Sequence, residues 1–244
     1  MGYRLRARRL KAVGAIHELP LLKKKSFPSA LSLSFLQPFL LLYLFASLPF
    51  YLFACSSLYG YGYKKAEDPL LNGFRSAIVN GRADNWEKVA IEIKGLDWQI
   101  VELKNELNKD LGPKLQEALA YKDIQELANY LANLVFLSIE QKFYWNTQER
   151  LTDYEKAKAR LYSAEVYYDE ILEGNVMKYD KKNGTKHHEE VKSMFIEAKK
   201  ALGSPGLYGI GQKPPQPERF KDLTAEIEKR LLSVFPFFEH IEIK

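Results

Sequence analysis

The 244-residue sequence contains a single cysteine, Cys55, and four histidines. One thiol forms no intramolecular disulfide and builds neither a multi-cysteine zinc site nor an iron–sulfur cradle; covalent c-type haem is excluded with them. The residues three places before His187, His188 and His240 are Gly184, Thr185 and Phe237. A Glu-x-x-His pair, the donor set of bundled di-iron sites, is therefore absent there. The glycine-rich run from Gly206 to Gly211 lacks the Gly-Lys-Ser/Thr ending and comes after a helical pattern rather than a strand, so neither nucleotide-binding fingerprint applies. No serine, histidine and acid arrangement stands out as a nucleophile motif. These absences predict a protein that is not an enzyme and carries no cofactor.

A second scarcity concerns charge. The formal net charge is +5, but eight of the 36 basic residues (Arg4, Arg6, Arg8, Arg9, Lys11, Lys23, Lys24 and Lys25) lie in the first 25 positions, opposed by Glu18 alone. The remainder holds 28 basic against 30 acidic residues. Basicity belongs to the N-terminal end, and a nucleic-acid partner loses the electrostatic footprint it would need.

The basic end gives way to the longest charge-free segment, whose first 29 residues, Ser26 to Ala54, lead into Leu52-Phe53-Ala54-Cys55. Positive charge, a long apolar run and then small residues is the order of a secretory signal. The four residues Leu52 to Cys55 resemble the bacterial lipobox, with Leu three places before the cysteine, Ala immediately before it, and Phe53 bulkier than the usual occupant of its position. The resemblance implies that Cys55 is acylated and becomes the mature N-terminus, with the chain on the extracytoplasmic side of the cell envelope; Ser56 in the next position implies passage to an outer membrane where one exists. The other reading is an uncleaved membrane span, since the stretch exceeds the roughly 20 residues a helix needs to cross and Pro28, Pro38 and Pro49 are tolerated in such helices. Both readings place the rest of the chain outside the cytoplasm and attached to a membrane, through lipid on Cys55 in the first and through the span itself in the second; residues 55–67, with Tyr59, Gly60, Tyr61, Gly62 and Tyr63, read as a flexible tether.

Residues 68–244 carry helical periodicity with little strand signal. Asp68-Pro69 marks a helix start, with an end at Gly81. Asp84-Asn85-Trp86-Glu87 is a variant of the capping box. The stripe Trp86, Val89, Ile93, Leu96, Ile100, Leu103, Leu107 then predicts one amphipathic helix of about 24 residues. A second box at Asp123 opens a helix whose 13 residues from Leu127 to Ile139 are uncharged, the mark of a central, surrounded element too short to span a bilayer. Thr152-Asp153-Tyr154-Glu155 opens a helix expected to stop at Gly174, with a loop over 178–185 after it. Thr185 is expected to cap a helix ending at Gly203, and Pro217 to begin the last one. The fold class expected is all-α, a bundle of four long antiparallel helices plus short ones, preceded by the signal or anchor segment.

Candidate sites are few. Glu140, Glu165 and Asp169 are carboxylates a bundle interior could use for a metal ion, and His187 heads the only dense cluster of metal-capable groups, His187-His188-Glu189-Glu190. Neighbouring helical residues point about 100° apart, so the cluster is expected to be a solvated first helical turn. The proline-flanked loop with Leu207, Tyr208 and Ile210 is a candidate partner contact. Three consecutive aromatics, Phe143-Tyr144-Trp145, cannot all point inward, so some are expected at the surface. The functional expectation is a membrane-tethered lipoprotein whose bundle binds a protein partner or scaffolds an envelope complex. The alternative is an extracytoplasmic metal-ion or small-ligand binding domain serving a transport system.

Overall fold

A computed structural model describes residues 68–206 and 210–241; Cys55, the leader, the tether, Leu207 and Tyr208 lie outside the described residues. Within them the secondary structure is helical and contains no strand, so the chain is all-α. None of these helices is long and apolar enough to cross a membrane.

Helix α1 (Pro69–Arg82) begins at the Asp68 cap, whose Oδ1 accepts from the N–H groups of Leu70 and Leu71 at 2.9 and 3.3 Å. This satisfies two of the donors every helix start leaves unpaired. Gly73 lets α1 approach its neighbour: a Cβ there would stand 2.8 Å from Cδ2 of Leu96.

The single helix expected from residue 86 is broken in two, α2 (Trp86–Gly95) and α3 (Asp97–Leu107). Leu96 between them sits at φ −95°, ψ 0°, its N–H turned to Ile93 O at 3.0 Å in a tighter turn. That turn drives the Leu96 side chain, 1 % exposed, onto Gly73. The apolar spacing survives the break because both halves bury the same stripe. The expected cap at Asp84 does not form. Asp84 is left-handed at φ 58° and accepts from Trp86 Nε1 at 2.6 Å, leaving Asn85 at the cap position without a side-chain bond.

After the short α4 (Gly112–Tyr121), α5 (Ile124–Gln148) starts at Asp123, which accepts from the N–H of Gln125 and Glu126. Its uncharged stretch is the centre of the molecule: Leu131 and every residue from Leu134 to Ile139 are fully buried, and α1, α3, α4, α6 (Tyr154–Tyr167) and α9 (Pro217–Val234) all pack on it. Helix α6 is capped by Asp153, not Thr152; the Thr152 hydroxyl donates to Glu149 O.

The expected stop at Gly174 and the loop after it are replaced by continuous helix. A π turn over Tyr168–Leu172 leads directly into α7 (Glu173–Asn183). Buried Ala164, Tyr168, Leu172 and Val176 recur every four residues. Such a stripe drifts about 40° per step around an ordinary α-helix, and a wider π turn takes up the excess. Gly174 adopts no positive φ and so has no terminating role; Gly184, at φ 68°, ends the run.

Helix α8 (His187–Ala201) is capped from outside. Asp180 of α7 accepts from the N–H of His187 and His188 at 3.0 and 2.8 Å and from the Thr185 hydroxyl at 2.5 Å, so Thr185 is a donor to the cap rather than the cap. Helix α9 packs along α8, and the chain returns over α5, with Phe238 5.4 Å from Phe136 and stacked on Phe235 at 4.6 Å.

Candidate functional site

Three helices contribute to one groove with the same residue spacing. Trp98, Gln99, Glu102 and Glu106 of α3, Gln141, Lys142, Trp145 and Glu149 at the end of α5, and Ala159, Arg160, Ser163 and Tyr167 of α6 line an open groove of about 530 Å³. Each set keeps the pattern i, i+1, i+4, i+8, which holds side chains on one side of a helix over two turns. A polar and aromatic face on each helix thus meets the other two where an all-apolar face would have closed the gap.

The floor is pre-ordered. Glu106 Oε2 accepts from Trp145 Nε1 at 2.7 Å and from Gln141 Nε2 at 2.8 Å, and buried Gln99 donates to Gln141 Oε1 at 3.1 Å. Arg160 grips Glu149 with two bonds of 2.7 and 3.1 Å, and Lys156 adds a third at 2.9 Å. Hydrogen bonds from Arg160 and Lys156 pull the Glu149 carboxyl down to about 2. Asn146, fully buried beneath, ties α5 to Ala157 O at 3.0 Å.

Lys142 is the exception to this pairing. Its Nζ lies 4.7 Å from the Tyr167 ring centre and makes a 3.4 Å bond to Ser138 O of its own helix, but among the described residues it reaches no carboxylate within ion-pair distance. Burial holds its ammonium below the ordinary lysine range, against the pull of Asp68 and Glu102. Tyr167 is oriented by its own hydroxyl, which donates to Asp68 Oδ2 at 2.9 Å. Glu102 likewise has no ion-pair partner among the described residues, and Trp98 is 48 % exposed. A smaller hollow of about 390 Å³, lined by Tyr154, Lys158, Tyr162, Lys199 and Leu202, adjoins the groove at Ala159.

The candidates drawn from the sequence lie elsewhere. Glu165 is held by Lys199 at 2.5 Å and Lys192 at 3.7 Å, and Asp169 by Lys192 at 2.8 Å, so the cation between those carboxylates is a lysine. His187 heads α8 next to Tyr179, its Nδ1 buried without a hydrogen bond. Rather than a solvated turn, the histidine pair is packed: the His188 ring stacks near Tyr168, its Nδ1 3.0 Å from the tyrosine hydroxyl. Glu140 is 1 % exposed on α5, its Oε2 accepting from Ile241 N at 3.0 Å and its Oε1 without a partner. Burial first, and then the charge of Glu228, push its carboxyl up to about 9; burial pushes Glu228 up to about 8. Among the described residues no group of three or more His, Cys, Asp or Glu side chains is placed to hold a metal ion. Ile210 of the candidate contact loop is 82 % exposed.

Of the three consecutive aromatics, Phe143 is buried, while Tyr144 and Trp145 are half-buried and packed edge to face at 5.2 Å. The groove residues escape a search for catalytic motifs because none belongs to one. The signal that finds them is the shared i, i+1, i+4, i+8 placement of polar and aromatic residues beside the apolar stripe. Comparison with protein-family models, curated proteins and solved structures finds no match.

Proposed function

We propose that the chain is a membrane-tethered extracytoplasmic lipoprotein, anchored at Cys55, whose helical domain binds a partner protein or scaffolds a complex of the cell envelope. One observation carries the tether: eight positive charges, then 29 uncharged residues that end in Leu-Phe-Ala directly before Cys55, in the order that export and lipid attachment require. The domain is read as a bundle of four long antiparallel helices, for which α5, the run from α6 through α7, α8 and α9 are the candidates. Exposed Ile210, in a loop braced by the Ser204–Lys213 pair of 2.9 Å backbone bonds, supports the partner contact. The near balance of charge beyond the leader supports a protein rather than a nucleic acid as partner. Mass spectrometry of the protein from native membranes tests the tether. A mature N-terminus at Cys55 with added acyl mass is expected; an unmodified Cys55 or an intact leader overturns it.

A second reading, a small-ligand binding domain serving transport, is favoured by the groove and by Lys142, a cation on its floor without an ion-pair partner among the described residues. Burying such a group is costly unless something recovers the lost hydration, and a ligand would do so.

A further inference from the structure

The groove between α3, α5 and α6 has a length, a flatness and a charge arrangement that together select a ligand class. Residues eight positions apart on a helix are separated by about 12 Å along its axis, so the lined face is elongated. Two indoles, Trp98 and Trp145, border it, and such rings offer broad apolar faces that bury large areas. The remaining lining is mostly planar and polar.

The charges narrow the choice. Arg160 is committed to Glu149, and one oxygen of Glu106 to Trp145 and Gln141. Lys142 and Glu102 remain, opposite in sign and neither in an ion pair among the described residues. An anion drawn to Lys142 meets Glu102, Glu106 and Glu149; a cation drawn to these carboxylates meets Lys142 and Arg160. Lys142 has three donors and no acceptor, and a carboxylate has acceptors only. A hydroxyl both donates and accepts, so a row of hydroxyls satisfies both kinds of group with no net charge to desolvate. A sugar ring combines such hydroxyls with an apolar face suited to indole.

We propose that this groove binds a short neutral oligosaccharide, with Trp98 and Trp145 against ring faces, Lys142 donating to hydroxyls, and Glu102 with the second oxygen of Glu106 accepting from them. This deepens the small-ligand reading and rests on it; it is independent of the tether at Cys55.

Indole fluorescence of the full chain in detergent supplies the readout, because two of the three tryptophans line the groove and Trp86 does not. The probes are chitotriose, cellotriose and maltotriose, with a zwitterionic dipeptide and citrate for comparison. Saturable fluorescence change with at least one trisaccharide, unaffected by added salt, is expected. Trp98→Ala, Lys142→Met and Glu102→Gln are each expected to weaken binding about tenfold or more, as the loss of one charged hydrogen bond or stacking surface does. Trp86→Phe, outside the groove, leaves it unchanged. Circular dichroism melts identify any variant that fails to fold, and Glu102→Gln, at a residue making no ion pair among the described residues, serves where another does. Saturation by the dipeptide or citrate with no trisaccharide response overturns the sugar assignment while leaving a ligand groove. Silence with every probe overturns both, and trisaccharide binding unmoved by all three groove variants overturns the site.

Discussion

The backbone N–H of Ile241 donates to Oε2 of Glu140 at 3.0 Å, joining the last described turn of the chain to a carboxyl that is 1 % exposed in the most buried helix. The contact does not neutralise the cost of burying that carboxyl: its other oxygen has no partner, and Glu228 nearby repeats the situation from α9. Both groups therefore hold their protons well above the ordinary carboxylate range, to about 9 and about 8.

The first prediction is a pH dependence with its sign set by those shifts. Raised native values mean that the folded state binds more protons than the unfolded one between the ordinary carboxylate value and the native one. Stability is then fully present below the ordinary carboxylate value of 4.5 and falls as pH rises from there to about 8 and about 9, by at most about 1.4 kcal/mol per pH unit for each group. Urea midpoints measured across this range should fall with pH in the wild type. Glu140→Gln with Glu228→Gln should flatten the slope; an unchanged slope would show that these carboxyls ionise freely.

A second prediction separates a buried clamp from an exposed ion pair on the same terminal segment. Asn133 Nδ2 donates to Glu239 O and Asn133 Oδ1 accepts from Glu239 N, both at 3.0 Å, while Lys114 and Glu239 pair at 2.5 Å in partial exposure. Asn133→Ala leaves both backbone groups without their partners and should cost about 1–3 kcal/mol. Lys114→Met should cost less than about 1 kcal/mol. Hydrogen exchange over residues 235–241 should quicken in the first variant and hold in the second.

These two contacts also mark where sequence reasoning stops. Helix starts at Asp68, Asp123 and Pro217 and the central place of the uncharged stretch from Leu127 to Ile139 are legible because caps and side-chain polarity act within a few residues. The break at Leu96 is not, since the side chain it buries packs against Gly73, some twenty positions away. Asp180 capping α8 across a turn is likewise a tertiary choice over the nearer Thr185. The groove is half legible: each helix shows its polar face, but nothing in one helix says that the other two face it.

The third prediction uses glycines of opposite consequence. Gly73→Ala should destabilise by about 1–3 kcal/mol, because the added methyl meets three atoms of a packed Leu96 side chain, the nearest at 2.8 Å. Gly174→Ala has open space at an exposed helical position and should stabilise by about 0.5–1 kcal/mol. Thermal midpoints should move in opposite directions.

A fourth concerns the external cap. Asp180→Ala removes the acceptor for two backbone donors and one hydroxyl and should cost about 1–2 kcal/mol. Amide exchange at the first turn of α8 should accelerate more than at its last turn; uniform acceleration would mean that the cap does not act locally.

The π turn over Tyr168–Leu172 gives this chain a place where its length is negotiable. Removing one residue from an ordinary α-helix swings everything downstream by about 100° and would carry Val176 out of the core. A π turn already holds one residue more than the helix around it needs, so excising exposed Glu170 leaves a plain α-helix with Leu172, Val176 and Asp180 still facing as they do. The segment behaves as an expansion joint: one-residue deletions that would unseat most of this molecule are absorbed here, and related chains lacking that residue would share the same architecture downstream.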